Sequence, residues 1–369
     1  MNLANLSTPA FLVDRDRVDR NCVRMREKAL ASNVLFRPHV KTHKTIEIAL
    51  MQHGGSAGPV TVSTLAEGES LAEAGFGDIT YAVPIAPEKL ARARDLSHRV
   101  ARLNLLMDSE VALREIEAFS RAQDATFDIF IKVDCGYHRA GIDPSREESV
   151  QLALAIARSP AVRLRGLLTH AGHSYHASGV EQLTAIANQE SEAVSTFAKR
   201  LEGEGVSGLL RSVGSTPTAS VVARFDDCDE VRPGNYVFFD AFQETIGSCR
   251  SQDVAVSVLA TVVGSYPERR EAIIDAGALA LSKDAGATHV DPSCGYGTVC
   301  DLQLRPLNIQ LTALSQEHGK LQCEGVTPEV GTKLRIVPHH SCLTAAMFDR
   351  YDVIAGDHVV DVWRPVRGW

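Results

Sequence analysis

The segment RPHVKTHK (37–44) puts three groups with chemistry into a short span, because Arg37, His39 and Lys41 alternate with Pro38 and Val40. An extended strand would set the three polar side chains on one face. If that face looks into a barrel, burial disfavours the charged lysine and leaves an amine able to form a Schiff base or take a proton. The alternative is an exposed face of solvated cations. Lys44, three residues on, is a rival amine of that surface kind.

Two small-residue turns could hold a phosphate through backbone N–H groups: GSTPT (214–218), between a strand and a helix start, and RPGNY (232–236), just before the last barrel strand expected. Such turns are also common N-caps. The strand FDIFIKVDCG runs into YHRAG, bringing Asp134, His138 and Arg139 to its end. LLTHAGHSYH does the same with His170, His173, Tyr175 and His176. These read as the polar lining of a site, since histidines on an irregular loop specify a metal poorly. In VPHHSCLTAA, His340 and Cys342 stand one residue apart and can point to the same side of an extended chain. Imidazole with thiolate is a sound zinc pair, and two ligands suit a catalytic site with open positions. A buried histidine beside an unrelated cysteine is the alternative there.

The elements that must position these groups fall into two textures. Up to about residue 240, short β-branched runs alternate with amphipathic stretches, as in repeated strand-helix units around a parallel sheet. Strands are expected at 34–41, 59–63, 78–83, 102–108, 127–134, 162–170, 209–215 and 235–240, and helices at 16–31, 64–75 (with Gly75 as a C-terminal cap) and 180–205. Such units read as a (β/α)8 TIM-type barrel, with an open doubly wound sheet as the alternative. In a barrel the chemistry belongs at the carboxyl ends of the strands. Beyond 245 come long alternating segments at 253–267, 271–282, 308–323, 332–346 and 358–369, which imply a mostly β second domain, closed or sandwiched. The expected division is 1–245 and 246–369. No Pro/Ser linker marks it.

The composition sets the outer bounds. The chain has 369 residues and a net charge of −8, with its Lys and Arg dispersed rather than clustered, so no stripe tracks a nucleic-acid backbone. No apolar run reaches the roughly 20 residues of a membrane span, and the start lacks the basic and apolar regions of a signal peptide. A cytoplasmic protein is expected. Its eight cysteines read as free thiols, and the Cys294/Cys300 spacing lacks the CxxC form of a structural zinc site.

At PHVKTHK the sequence resembles the fold-type III pyridoxal-phosphate enzymes, in particular the eukaryotic-type D-serine dehydratase group with D-threonine aldolase and D-threo-3-hydroxyaspartate dehydratase. The resemblance runs nearly end to end through TPAFLVD, RPHVKTHK, VSTLAE, DCGYHRAG, THAGHSY, VGSTPT, RPGNYVFFD, QDVAVSVL, QEHG, PHHSC and WRPVRGW. It implies an alanine-racemase-like barrel joined to a β domain, to which the first few residues can cross back, and a homodimer. It implies pyridoxal 5'-phosphate on Lys41, with His39 beside it and the phosphate held by Ser215, Thr216, Gly234 and Asn235 near Tyr175. Arg139 would face the pyridine nitrogen, making the ring a weaker electron sink than a carboxylate would. His340 and Cys342 match a zinc pair, although another divalent cation would suit it. Aldolase-like members tend to carry His-x-Asp there, so Cys342 favours dehydration. The activity implied is elimination from a D-3-hydroxy amino acid, D-serine to pyruvate and ammonia. Retro-aldol cleavage of D-threonine and dehydration of D-threo-3-hydroxyaspartate are the rivals. The resemblance leaves the roles of Gln316, Glu317 and His318 open.

Overall fold

The computed structural model describes all 369 residues. Strand β1 (Ala10–Asp14) and a 17-residue helix, Arg15–Ala31, precede eight short strands: β2 (Leu35–Phe36), β3 (Val60–Val62), β4 (Asp78–Pro84), β5 (Arg102–Met107), β6 (Phe127–Lys132), β7 (Val162–Leu168), β8 (Leu210–Val213) and β9 (Glu230–Val231). The eight pair in parallel in the order β2-β9-β8-β7-β6-β5-β4-β3. A parallel bridge between His39 and Thr61 joins the open ends and closes the barrel. Its strands are buried on both faces, as in β6, where five of the six residues are inaccessible. Between strands run helices such as Glu110–Gln123, which buries Leu113, Ile116 and Ser120 at helical spacing and is capped by Ser109 accepting the Ala112 N–H. The (β/α)8 expectation holds.

Two expected strands differ. Residues 34–41 form no continuous strand: β2 ends at Phe36, the chain stays extended to His39, and Val40–Thr42 winds into a 3-10 turn. Pro38 has no N–H to continue the ladder, while Arg37 and His39 on either side still donate to Val231 O and Pro233 O. The run NYVFFD (235–240) is not the eighth strand. Asn235–Val237 is a 3-10 turn, and the eighth strand is the two-residue β9 upstream. All six residues of 235–240 are buried, and such a run without alternation looks the same in a strand or a packed turn. The turn RPGNY therefore follows the last barrel strand rather than preceding it.

The chain divides into two compact units, one of residues 23–177, 181–234 and 366–369, the other of 1–22, 178–180 and 235–365. Residues 235–245 thus group with the β unit, as do the first 22. The β unit adds β10 (Val256–Tyr266), β11 (Glu271–Ile274), β12 (Thr298–Cys300), β13 (Pro306–Leu314), β14 (Gly319–Cys323), β15 (Lys333–Val337), β16 (Tyr351–Ala355) and β17 (His358–Trp363). Six of them, β10, β15, β12, β13, β14 and β11, form a closed antiparallel ring because β11 also pairs with β10. β1 lies along the first half of β10 and carries β16 and β17 beyond it. The segment 308–323 resolves into the β13–β14 hairpin. Residues 332–346 break at Pro338 into β15 and the short helix Ser341–Ala346.

Candidate active site

In the barrel unit the chemistry gathers where strands end. Lys41 sits half-buried in the 3-10 turn after β2, and its N–H donates to His39 Nδ1 at 3.3 Å. Burial first, then the charges of Lys41 and Arg232, press the His39 pKa well below its ordinary value. His170, after β7, is driven the same way by burial, Lys41 and Lys132, and its Nδ1 lies 2.5 Å from Gly214 O. Both imidazoles are neutral in this setting. Lys132, at the end of β6, has its pKa lowered to about 7 by burial and then by Arg232.

Arg232 follows β9 and is fully enclosed, with Nε donating to Ser212 Oγ at 2.7 Å and Nη2 to the Thr169 carbonyl. Arg37 is a separate, structural cation. It is 1 % exposed and bonds Glu230 and Asp78, each at 2.6 Å. Glu190, from the helix Val180–Gly203, receives the N–H of Ala171 at 2.8 Å, the N–H of Gly214 at 3.1 Å and Thr218 Oγ1 at 3.0 Å, tying the ends of β7 and β8 together.

Ser215 and Thr216 are buried after β8, and Ser215 Oγ lies 3.0 Å from Ser174 Oγ, one residue before half-buried Tyr175. Gly234 N–H donates to Thr216 Oγ1 at 3.3 Å, and a Cβ on Gly234 would stand 3.0 Å from His39 O. That close approach links the glycine turn to the lysine turn. Gly214, at φ +153, is constrained more tightly, since a Cβ there would meet the Arg232 backbone at 2.8 Å. Arg139 is exposed, with its guanidinium 5.1 Å from the centre of the Tyr137 ring. Asp134 holds the turn before it through the N–H groups of Gly136 and His138 and through His138 Nδ1 at 2.7 Å. Lys44, the rival amine, pairs with Glu67 at 2.8 Å.

This set suits a phosphorylated aldehyde. Lys41, Lys132 and Arg232 supply positive potential, Ser215 and Thr216 supply hydroxyls, and the space at Gly234 is one a Cβ would fill.

In the β unit, His340 stands just before the helix Ser341–Ala346, and its Nδ1 lies 3.0 Å from Asp284 Oδ2. Burial opposes its charge, but hydrogen bonds with Asp284 and Cys342 and the nearby Cys342 and Asp240 raise its pKa to about 11. Asn235 belongs to this group by its side chain, which donates to Asp240 at 2.8 Å, Ser341 Oγ at 2.8 Å and Cys342 Sγ at 3.5 Å. Asp240 also receives the Ser341 N–H at 2.9 Å. No three His, Cys, Asp or Glu side chains form a ready metal cage. The donors at hand are one imidazole nitrogen, one thiol sulfur and a carboxylate on the imidazole. That chemistry fits a zinc-type ion with open positions. Gln316, Glu317 and His318 lie exposed in the β13–β14 turn.

The residues missed from sequence are Lys132, Arg232, Glu190 and Asp284. Lys132 and Arg232 stand inside the strand FDIFIKVDCG and the turn RPGNY, where their types carry a signal. Glu190 and Asp284 sit in a plain helix and a loop without a motif.

An eight-stranded parallel barrel with a lysine turn after its first strand, followed by an antiparallel β barrel, defines the alanine-racemase-like class of pyridoxal-phosphate enzymes. Comparison with known proteins makes this specific: the alanine racemase N-terminal domain matches residues 13–241, and a putative serine dehydratase domain matches 255–354. The chain belongs to this fold-type III pyridoxal-phosphate family and is a lyase of its D-hydroxy amino acid branch. It is 42% identical to the D-threo-3-hydroxyaspartate dehydratase of Delftia sp. over 100% of this chain and 99% of that one. With the D-serine dehydratase of Dictyostelium discoideum it shares 36% over 100% and 98%.

The solved Delftia structure superposes with a TM-score of 0.93 at 42% identity, covering 100% of both chains. Two further D-threo-3-hydroxyaspartate dehydratase structures carry a histidine-to-alanine and a cysteine-to-alanine change, the latter described as the metal-free form. D-Threonine aldolase from Filomicrobium marinum is more distant, with a TM-score of 0.86 and 26% identity over 99% and 96%.

Proposed function

We propose that the protein dehydrates a D-3-hydroxy amino acid, D-serine to pyruvate and ammonia, using pyridoxal phosphate on Lys41 and a divalent cation held by His340 and Cys342. The observation that carries this reading is the His340-x-Cys342 pair, bonded to Asp284 and to Asn235. The histidine and cysteine altered in the two D-threo-3-hydroxyaspartate dehydratase mutant structures also stand two positions apart. Dehydration of D-threo-3-hydroxyaspartate is the second reading, favoured by the 42% identity to that enzyme.

Pyridoxal phosphate, when bound, supplies a ring that draws electrons from the substrate and acidifies its Cα–H. Ser215, Thr216 and the turn at Gly234 and Asn235 would hold its phosphate, with Tyr175 close by and Arg139 at the ring nitrogen. His39 and His170, being neutral, add no positive charge around Lys41 and leave its amine to accept the Cα proton at Nζ. Glu190 and Arg232 keep the strand ends rigid so that Nζ does not drift. A cation on His340 and Cys342 supplies Lewis acidity toward a hydroxyl leaving group. Asp284 orients the His340 ring, and Asn235 restrains Cys342 Sγ. A homodimer in the cytoplasm is the setting we propose.

The test is to incubate the purified protein with D-serine, L-serine, D-threonine and D-threo-3-hydroxyaspartate, with and without a chelator, and identify the products. Pyruvate from D-serine that falls after chelation and returns with zinc is expected. Oxaloacetate formed faster from D-threo-3-hydroxyaspartate selects the second reading, and glycine from D-threonine without pyruvate from D-serine refutes both.

A further inference from the structure

The Lys41 turn is held from outside the barrel by a clasp, formed where the segment 366–369 returns to the unit that contains residues 23–177. Val366 N–H donates to Lys44 O at 2.7 Å. Val366 also lines a small pocket together with Val40, Ile46 and Leu71, and Val40 opens the turn Val40–Thr42. Arg92, which grips Glu69 through two bonds of 2.6 and 2.7 Å, donates to the Trp369 carbonyl oxygen.

At the centre of the clasp, Lys44 is left-handed at φ 55, a conformation that non-glycine residues adopt at a cost. Three contacts hold it there: its own N–H on Val40 O at 2.8 Å, the Val366 N–H on its carbonyl, and Nζ on Glu67 Oε1 at 2.8 Å. Glu67 is 1 % exposed, so this ion pair has a buried end. A strained residue persists only where its surroundings over-determine it, and such residues mark places where geometry matters.

We infer that the segment Val366–Trp369 and left-handed Lys44 form a positioning clasp that sets the backbone of the Lys41 turn, and so the rate at which the Lys41 amine captures an aldehyde. Neither element touches the reacting atoms. The Lys44 N–H fixes Val40 O on one side of Lys41 and the Val366 N–H fixes Lys44 O three residues beyond it, so a tilt there moves Nζ relative to the phosphate turn at Gly234. The inference rests on Lys41 being the cofactor lysine.

The experiment compares wild type with a variant lacking 366–369, with Val366→Ala, and with Lys44→Ala and Lys44→Gly. Each is mixed with pyridoxal phosphate, whose aldehyde adds the Lys41 amine and loses water to give a Schiff base. Borohydride then reduces the C=N bond, and peptide mapping locates it. Pyridoxine phosphate, which has an alcohol in place of the aldehyde, reports the phosphate pocket alone.

Capture about 10-fold slower in the truncated variant and in Lys44→Ala, with pyridoxine phosphate binding within about 2-fold of wild type, is expected. Lys44→Gly loses the same ion pair as Lys44→Ala but adopts φ 55 freely. It should recover most of the loss. Should the truncated chain not fold, Val366→Ala reads the same effect at about 3-fold. Unchanged capture in every variant, or equal loss of both ligands, overturns the clasp. No capture at Lys41 in wild type overturns the proposed function instead.

Discussion

The two clusters use the same side chain in opposite charge states. In the barrel, His39 and His170 are buried among Lys41, Lys132 and Arg232, and are held neutral. In the β unit, half-buried His340 stands among Asp284, Cys342 and Asp240, which push its pKa up to about 11. Burial alone does not choose the state of an imidazole; the sign of the charges that share the burial does. A cationic pocket attracts an anionic phosphate, and an anionic one attracts a cation. On the function proposed above, the pair of clusters would divide ligand binding by charge before any chemistry begins.

The largest effect that sharpens this division comes from removing each cluster's central group. Lys41→Ala is expected to lower turnover at least about 10³-fold and to abolish borohydride-trapped adduct. Cys342→Ala should cost about 10²-fold in turnover while leaving the adduct intact. Loss of adduct in the cysteine variant would break the division.

Lys132 tests the cationic side through pH. Its folded pKa of about 7 lies below the ordinary 10.5, so between these values the unfolded chain binds a proton that the folded chain does not. Stability then rises with pH across that window, and the penalty for burying the charge is full below pH 7. Each tenfold loss of proton affinity on folding corresponds to about 1.4 kcal/mol, and relaxation around the charge relieves part of the total. Lys132→Met should therefore be more stable than wild type by roughly 3 kcal/mol below pH 7. The advantage should fade toward pH 10.5. Thermal melts across pH 6 to 10 read it, and a constant difference would remove Lys132 from the electrostatics.

The smallest effect concerns the anionic side. Asp284→Asn keeps a hydrogen bond to His340 Nδ1 but drops the charge, and zinc affinity measured against a chromophoric chelator should weaken about 10-fold. Unchanged affinity would show that Asp284 does not orient the ring.

Much of the barrel was legible because its strands are runs of β-branched residues spaced by amphipathic helices; β3 and β5 to β8 fall inside the expected segments, and β4 runs one residue past its own. The ends of the barrel were not. β2 and β9 have two residues each, too few to show any periodicity, and β9 begins with Glu230, a buried charge that reads as surface until Arg37 is seen against it. The lysine turn, the small-residue turns and the His340-Cys342 pair were visible as motifs because their residue types are local. Glu190 and Asp284 act across 24 and 56 residues, on Gly214 and His340, and distances of that kind leave no local trace.

The path of β1 has a consequence for how the protein can be made and cut. Its partners, β10 and β16, lie more than 240 residues further along the chain, so the strand emerges from the ribosome long before anything can pair with it. Such long loop closures are slow. Neither unit is a single continuous stretch of chain. A cut after residue 234 would strand β1 on the barrel piece and leave Val366–Trp369 on the other, so domain-by-domain expression would yield two halves that each hold part of its neighbour.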